Sequence, residues 1–404
     1  MSEALVIIGN GMAAARLVEE LSSKALGRYA IAVVGEEPAL AYNRVLLSSV
    51  LAGDIDKGEI DLKPAPWWRA HGVTLRYGCK ASAIDAGRKV VKLADGKNVP
   101  YSKLVIATGS RALSLPLPGV DLAGVHTFRD ISDVEQLARL GADRKRVVVI
   151  GGGLLGLEAA YGLVKRGAHV TLAHVMDRLM ERQLDADGGA LLARLVERKG
   201  VRVLLNASAT RIHGQRTVQA VEFRDGSILD ADAVVFAVGV KPNVDLAREA
   251  GLATNRGVLV DDALMTNLDG VFALGECAEH RGVCYGLVEP AYEQARVLAA
   301  NLAGRTASYA GSIVATNLKV SGVGVFSAGD FMGGEGAQRI LYSDARTGAY
   351  KKLIIDNDRL VGAVLIGDTG AALSYLDLIR GGVDVGSSRD ELMFGDLAEL
   401  RKAA

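Results

Sequence analysis

Short, wholly apolar runs that break at glycines and pass into helical spacing organise this chain. Residues 5–8 form one such run; it ends in Gly9-Asn10-Gly11-Met12-Ala13-Ala14, and a helical pattern continues through Leu17, Val18 and Leu21. That order predicts strand, glycine turn, helix. Residues 147–150 lead in the same way into Gly151-Gly152-Gly153-Leu154-Leu155-Gly156, with a second helix through Leu157, Ala160 and Leu163. The unit therefore occurs twice. After each copy a further strand is predicted, residues 31–34 ending in Gly35-Glu36-Glu37 and residues 170–173 ending in His174. Three more buried strands end at small residues: 104–106 at Ala107-Thr108-Gly109, 234–236 at Ala237-Val238-Gly239, and 271–274 at Gly275-Glu276. From Ser312 onward the pattern changes to alternation over 318–323, a strand at 350–355, the turn Asp356-Asn357-Asp358 and a strand at 360–366. A small hairpin-rich sheet follows, with a helix near 371–379.

The repeated glycine turns carry a definite chemistry. In such a turn the first glycine permits the tight bend, the second lets backbone amides approach a pyrophosphate, and the third position keeps helix and strand close. The first copy has Ala14 at that third position. The helix dipole and free N–H groups then hold the anion. The tip of the following strand is expected to offer an acid to a ribose hydroxyl, which selects Glu36, with Glu37 in reserve, in the first copy. In the second copy His174 stands where the acid is expected. His174 as a ribose donor and His174 as a packed or capping residue are both open, and Arg178 is a candidate attractor of a 2′-phosphate.

Composition narrows the classes. Of 404 residues, 47 are Lys or Arg and 47 Asp or Glu, so the basic excess typical of nucleic-acid or membrane-surface binding is missing. Glycine numbers 48 without a collagen-like period, so it serves tight backbone geometry. Eight prolines and no low-complexity run predict two or three abutting domains without long linkers. Cys79, Cys277 and Cys284 form no CxxC pair and suit a reducing compartment. Glu3 precedes the first apolar run, glycines interrupt it, and no stretch reaches the ~20 apolar residues of a membrane span. The expectation is a soluble cytoplasmic protein.

The ordered set GNGMAA, ATGS, GGGLLGLE, AVGVKPN and ALGE resembles the two-dinucleotide-binding-domain flavoproteins of the pyridine nucleotide-disulfide oxidoreductase superfamily, which carry FAD and use NADH or NADPH. YNRVLLSS, LMERQLD and GECAEHRGVCYGLVEPAYEQA are similar to the flavoprotein part of NAD(P)H nitrite reductases, and to reductases that feed assimilatory nitrate reductase, rubredoxin or ferredoxin. The resemblance implies an α/β fold: two Rossmann-like, glutathione-reductase-like domains binding FAD (residues 1–110 and 240–308) and NAD(P)H (111–239), and a small α+β C-terminal interface domain (309–404). It implies that Gly9, Gly11, Met12 and Ala13 hold the FAD pyrophosphate and Glu36 or Glu37 its ribose. Arg44, Ser48, Ala81, Ala107, Thr108, Gly109 and Arg111 are implied to lie along the FAD, and Gly275 and Glu276 at the ribityl chain. For the nicotinamide nucleotide it implies Gly151, Gly153, Leu154, Leu155, Gly156, His174, Val238 and Gly239, with Glu158, expected in the first helical turn, orienting the nicotinamide. A capping or macrodipole role is the plainer alternative for Glu158, a surface ion pair for Arg44, packing for Ala81 and a solvated loop for Arg111. In similar proteins the helix opened by Pro290 points its N-terminus at the flavin.

Departures sharpen the reading. Disulfide reductases of this fold need a cysteine pair after the first ribose acid, and peroxidase or oxidase relatives a single cysteine, where this chain has Ser48-Ser49. Some ferredoxin reductases place a lysine at the Ser49 position. Full nitrite reductases continue into cluster and sirohaem modules, so this chain is expected to act as a stand-alone reductase without a metal site. Its expected acceptor is a protein: the catalytic subunit of an assimilatory nitrate or nitrite reductase, or else rubredoxin or ferredoxin. A non-catalytic flavin-binding redox sensor or scaffold is the alternative of another class, and a homodimer is left open. No nucleic acid or membrane partner is expected.

Overall fold

The computed structural model describes residues 2–25, 27–313, 315–320, 322–344 and 346–394. The chain divides into two compact units, one of Met1–Leu46, Asp56–Arg111 and Val240–Ser312, the other of Leu47–Ile55, Ala112–Gly239 and Ile313–Ala404.

In the first unit five parallel strands lie in the order Val271–Ala273, Lys103–Ile106, Glu3–Ile8, Tyr29–Val34, Thr74–Arg76. Both faces of this sheet are covered, which is why its strands read as unbroken apolar runs rather than as alternation. On one face Leu5, Ile7 and Val105 pack with Leu17, Val18 and Leu21 of helix Met12–Lys24 and with Leu298 and Leu302 of helix Val288–Leu302. On the other, Val6, Ile8, Leu104 and Ile106 cluster with Val91 and Leu93 of a three-stranded antiparallel sheet. Pro290 is the third residue of its helix, within the first turn, where its missing N–H leaves no helical bond unmade.

The second unit repeats the plan: the parallel order is Arg202–Leu204, His169–Ala173, Arg146–Ile150, Ala233–Phe236, Val125–Thr127. A second, antiparallel sheet in the order Ala315–Val320, Val323–Gly329, Arg359–Ile366, Ala349–Asp356, Gln338–Asp344 carries helix Ala372–Gly381 on a core of Phe326, Leu353, Leu365, Tyr375 and Leu378. The expected turn is a two-residue hairpin with Asn357 and Asp358 at φ +48° and +59°. The alternation expected over 318–323 crosses Ser321, which lies outside the described residues.

Two features tie this unit together. Helix Leu47–Ala52 packs on helix Leu154–Lys165, where a Cβ on Gly162 would stand 2.8 Å from Leu51 Cγ, so only glycine admits this approach. Arg166 Nε and Nη2 donate to the carbonyls of Leu51 and Val50 at 2.8 and 3.1 Å, satisfying the end of the short helix. Asp185, in turn, caps helix Ala186–Glu197 by accepting from Gly188 N (3.1 Å) and also accepts from Tyr350 Oη (2.7 Å) and Lys352 Nζ (2.9 Å) of the C-terminal sheet. Burial raises the Asp185 pKa, but the bonds from Lys352 and Tyr350 outweigh it, and the net shift is downward.

Lys352 is only 6% exposed, so removing its partner strands a buried cation. Asp185→Ala is therefore expected to cost about 3–5 kcal/mol in urea unfolding at pH 7, and Lys352→Met less, because the Asp185 carboxylate left behind keeps its bonds from Gly188 N and Tyr350 Oη. As the folded pKa of Asp185 is depressed, its contribution is present at neutral pH and is expected to fade as pH falls through that pKa.

Candidate functional site

The two glycine turns have the same geometry. Gly9 and Gly151 lie at φ +115° and +119°, and a Cβ there would stand 2.0 Å from Ala107 O and 2.3 Å from Ala237 O. The first strand of each sheet thus ends in backbone contact with its neighbour, at Ala107 and Ala237. The helix that follows has glycine at the N-cap, Gly11 or Gly153, with no side-chain cap and no acid in its first turn. Helices Ile131–Ala142 and Ala186–Glu197, by contrast, are capped by Asp130 and Asp185. Around Gly11, Gly153, Gly109 and Gly239 an added Cβ would meet nothing within 4 Å. Open space before uncapped N–H groups at the positive end of a helix fits a pyrophosphate. At the third position a Cβ on Gly156 would collide with Gly151 O at 1.9 Å, whereas Ala14 is accommodated fully buried. Met12 and Ala13 open the first helix and Leu154 and Leu155 the second; Val238 lies between Ala237 and the left-handed Gly239.

Around the first cradle, Glu276 accepts from Ser110 Oγ at 2.9 Å, and Gly275, at φ +79°, donates its N–H to Gln294 Oε1 at 2.7 Å. Thr108 Oγ1 donates to Asn243 O (2.8 Å), while Asn243 Nδ2 donates back to Thr108 O (2.9 Å). Arg111 is exposed and bonds Asn243 and Asp245. Ala81 is buried at the start of strand Ala81–Asp85. Of the two acids after the second strand, Glu37 accepts from Tyr42 Oη (2.6 Å) and pairs with Arg44, whereas Glu36 is exposed and bonded to Lys80 Nζ at 3.0 Å. Asn243 and Gln294 fall inside the motifs AVGVKPN and YEQA, but nothing in the sequence distinguishes them from packing residues.

Around the second cradle two expectations need correction. Glu158 is the fifth residue of helix Leu154–Lys165, one turn deeper than expected, too far in to cap the helix. It is buried, and its partner is the Ser48 hydroxyl; burial pushes its carboxyl up to about 7, against the bond from Ser48, which pulls it down. Ser48 thus stands with the second cradle's acid, in the unit opposite to the one expected. His174 is buried with both ring nitrogens engaged, Nδ1 accepting from Gly152 N at 3.0 Å and Nε2 bonded to Glu181 Oε2 at 3.0 Å. It is a packed residue and has no nitrogen left for a ribose.

Other chemistries find less support. Cys79, Cys277 and Cys284 are free, and burial raises the thiol pKa of both Cys277 and Cys284, opposite to what a reactive thiolate needs. Among the described residues no cluster of three or more His, Cys, Asp or Glu is placed to hold a metal ion, and no helix is long and apolar enough to cross a membrane.

Residues 3–297 match the family described as pyridine nucleotide-disulphide oxidoreductase, and residues 315–383 match the rubredoxin NAD+ reductase C-terminal domain. The chain is 44% identical over 382 residues to a nitrite reductase [NAD(P)H] of Bacillus subtilis (strain 168), covering 94% of this chain and 48% of that protein. It is 39% identical over 390 residues to the assimilatory nitrate reductase electron transfer subunit of the same organism, covering 96% and 51%. The chain thus spans about half the length of these curated relatives. Among solved structures, one chain of a covalent putidaredoxin reductase–putidaredoxin complex superposes with TM-score 0.87 at 27% identity, covering 99% of this chain and 98% of that one. NADH:rubredoxin oxidoreductase from Clostridium acetobutylicum superposes with TM-score 0.80 at 27% identity, covering 98% and 100%. With its paired cradles and full-length structural likeness, the chain belongs to the pyridine nucleotide-disulphide oxidoreductase family of FAD-dependent NAD(P)H oxidoreductases.

Proposed function

We propose that the chain is an NAD(P)H-dependent FAD reductase that hands electrons to a protein acceptor, the catalytic subunit of an assimilatory nitrate or nitrite reductase, in a reducing cytoplasm. The observation that carries this reading is the pair of equivalent cradles, each an uncapped helix N-terminus behind a glycine turn, in one chain. The names of two relatives supply the acceptor class. FAD would be held by Gly9, Gly11, Met12 and Ala13 at its pyrophosphate and by Glu276 at its ribityl chain. Bound there, it would accept hydride from the nicotinamide and release electrons one at a time. The protein's own part is to bind, orient and exclude water. Gln294 and Ser110 fix the turn that carries Glu276. Ser48 and Glu158 offer a hydroxyl and a carboxyl for orienting a carboxamide near the second cradle. No thiol is needed, in keeping with Ser48 and Ser49 where disulfide reductases have cysteines. The match of residues 315–383 to a rubredoxin reductase domain favours a second reading, in which rubredoxin or ferredoxin is the acceptor.

Anaerobic mixing of the purified, FAD-loaded protein with NADH or NADPH is expected to bleach the flavin absorbance within seconds. Reoxidation should then be faster with the protein acceptor than with buffer alone. A flavin that stays oxidised with both nucleotides would leave only the scaffold reading.

Glu158→Gln keeps the shape of the side chain but never carries charge, and is expected to slow flavin reduction by about tenfold or more through loss of orientation. It also has a signature in stability. The folded pKa near 7 lies above the ordinary value of 4.5, so the stabilising protonated form is fully present below about 4.5 and is lost as pH rises through about 7. Relative to wild type, Glu158→Gln is therefore expected to gain about 3 kcal/mol between pH 4.5 and pH 8.5, read from urea midpoints.

A further inference from the structure

The tip of the second strand in a dinucleotide-binding unit faces the adenosine ribose, and an acid there selects the free 2′-hydroxyl. Strand His169–Ala173 ends in His174, which is not an acid, but the histidine serves as an adaptor. Gly152 N–H donates to its Nδ1, so the ring proton sits on Nε2 and is donated to Glu181 Oε2 at 3.0 Å. The segment that carries Glu181 is folded back onto the glycine turn: Met180 N–H donates to Gly152 O at 3.0 Å, and Leu179 and Met180 are buried. Met180 holds φ +51°, a left-handed backbone that a residue with a side chain rarely adopts. A carboxylate is thus brought to the strand tip from seven residues downstream.

The charges around it point the same way. Glu181 keeps 24% of its side chain exposed, and its second oxygen lies 4.0 Å from Arg182 Nε. Arg178 is already engaged: Nη1 donates to both Asp177 oxygens, at 2.9 and 3.2 Å, and Nε to Leu184 O at 3.3 Å. Arg182 extends into solvent, 86% exposed. We propose that Glu181, positioned by His174, is the acid that reads the adenosine ribose, and that it makes the second cradle select NADH over NADPH. The proposal rests on reading that cradle as the NAD(P)H site. A carboxylate accepts bonds from ribose hydroxyls and repels a 2′-phosphate, and a like-charge contact of this kind is enough for discrimination of about tenfold or more.

The test is calorimetric binding of NAD+ and NADP+ to the FAD-loaded protein, beside kcat/KM for NADH and NADPH, in wild type, Glu181→Gln and Arg182→Ala. Wild type is expected to bind NAD+ more tightly and to prefer NADH. Glu181→Gln is expected to weaken NAD+, strengthen NADP+ and narrow the ratio by about tenfold, with the change appearing in KM. His174→Phe, which keeps a ring but drops both bonds, should narrow it as well. A wild type that prefers NADPH, with Arg182→Ala abolishing that preference, would overturn the proposal, as would equal nucleotide affinities in wild type and Glu181→Gln. If neither nucleotide bleaches the flavin while NAD+ still binds more tightly than NADP+ in a Glu181-dependent way, the electron-transfer reading falls and the role of Glu181 stands.

Discussion

The organisation of both nucleotide cradles depends on one close approach, a strand end touching the backbone of its neighbour. Ile8 pairs with Ile106, and Ile150 with Phe236; one step on, the carbonyls of Ala107 and Ala237 lie where a Cβ on Gly9 or Gly151 would have to be. No side chain fits, so these positions are glycine. With the chain turned so tightly, the next helix starts at the carboxyl end of a central strand, and a Cβ on its N-cap glycine would meet open space. A pyrophosphate site then follows from backbone geometry alone.

That geometry has an energetic consequence. Two other helices of the second unit spend a carboxylate on their first amides, Asp130 in one case and Asp185 in the other. The two cradle helices have glycine at the N-cap instead, with no side-chain bond to their first amides, a deficit of only about a few tenths of a kcal/mol each. Burying the Glu158 carboxyl beside the Ser48 hydroxyl adds a further cost. A pyrophosphate bound there would supply the bonds that those amides lack, so that nucleotide binding and folding stability would be coupled through the two helix N-termini. Local departures from optimal stability at a site of this kind are expected where function sets the sequence.

How much of this was legible beforehand follows from which contacts are local. The central parallel strands were readable because burial on both faces leaves unbroken apolar runs, and the glycine turns because the constraint acts on adjacent residues. Strand Gln338–Asp344 was missed: it is an exposed edge strand whose partner covers one side only, so neither face is marked by burial. Leu47–Ile55 was placed with its neighbours in sequence, but Leu51 docks over Gly162, more than a hundred residues away, and a six-residue helix carries no signal of such a partner. His174 read as a departure from the acidic pattern because the acid comes from a backfolded loop, held by a buried left-handed methionine. Periodicity does not report a contact of that kind.

Ser48 sets what the second cradle's acid can do. Ser48 donates a hydrogen bond to the Glu158 carboxyl, whose pKa is set by burial working against that bond. A neutral donor stabilises a carboxylate less than an ammonium group does, so burial prevails and the group sits near neutrality in protonation. It can then present either a proton or a lone pair to an amide at the pH of a cell. An amide has both a donor and an acceptor edge, and a carboxyl that is not fixed as an anion complements either. The buried serine–glutamate pair therefore suits recognition of a neutral carboxamide, whereas burial raises the Cys277 and Cys284 thiols away from the reactive thiolate form. The family's redox chemistry belongs to FAD and NAD(P)H, which leaves orientation to the chain.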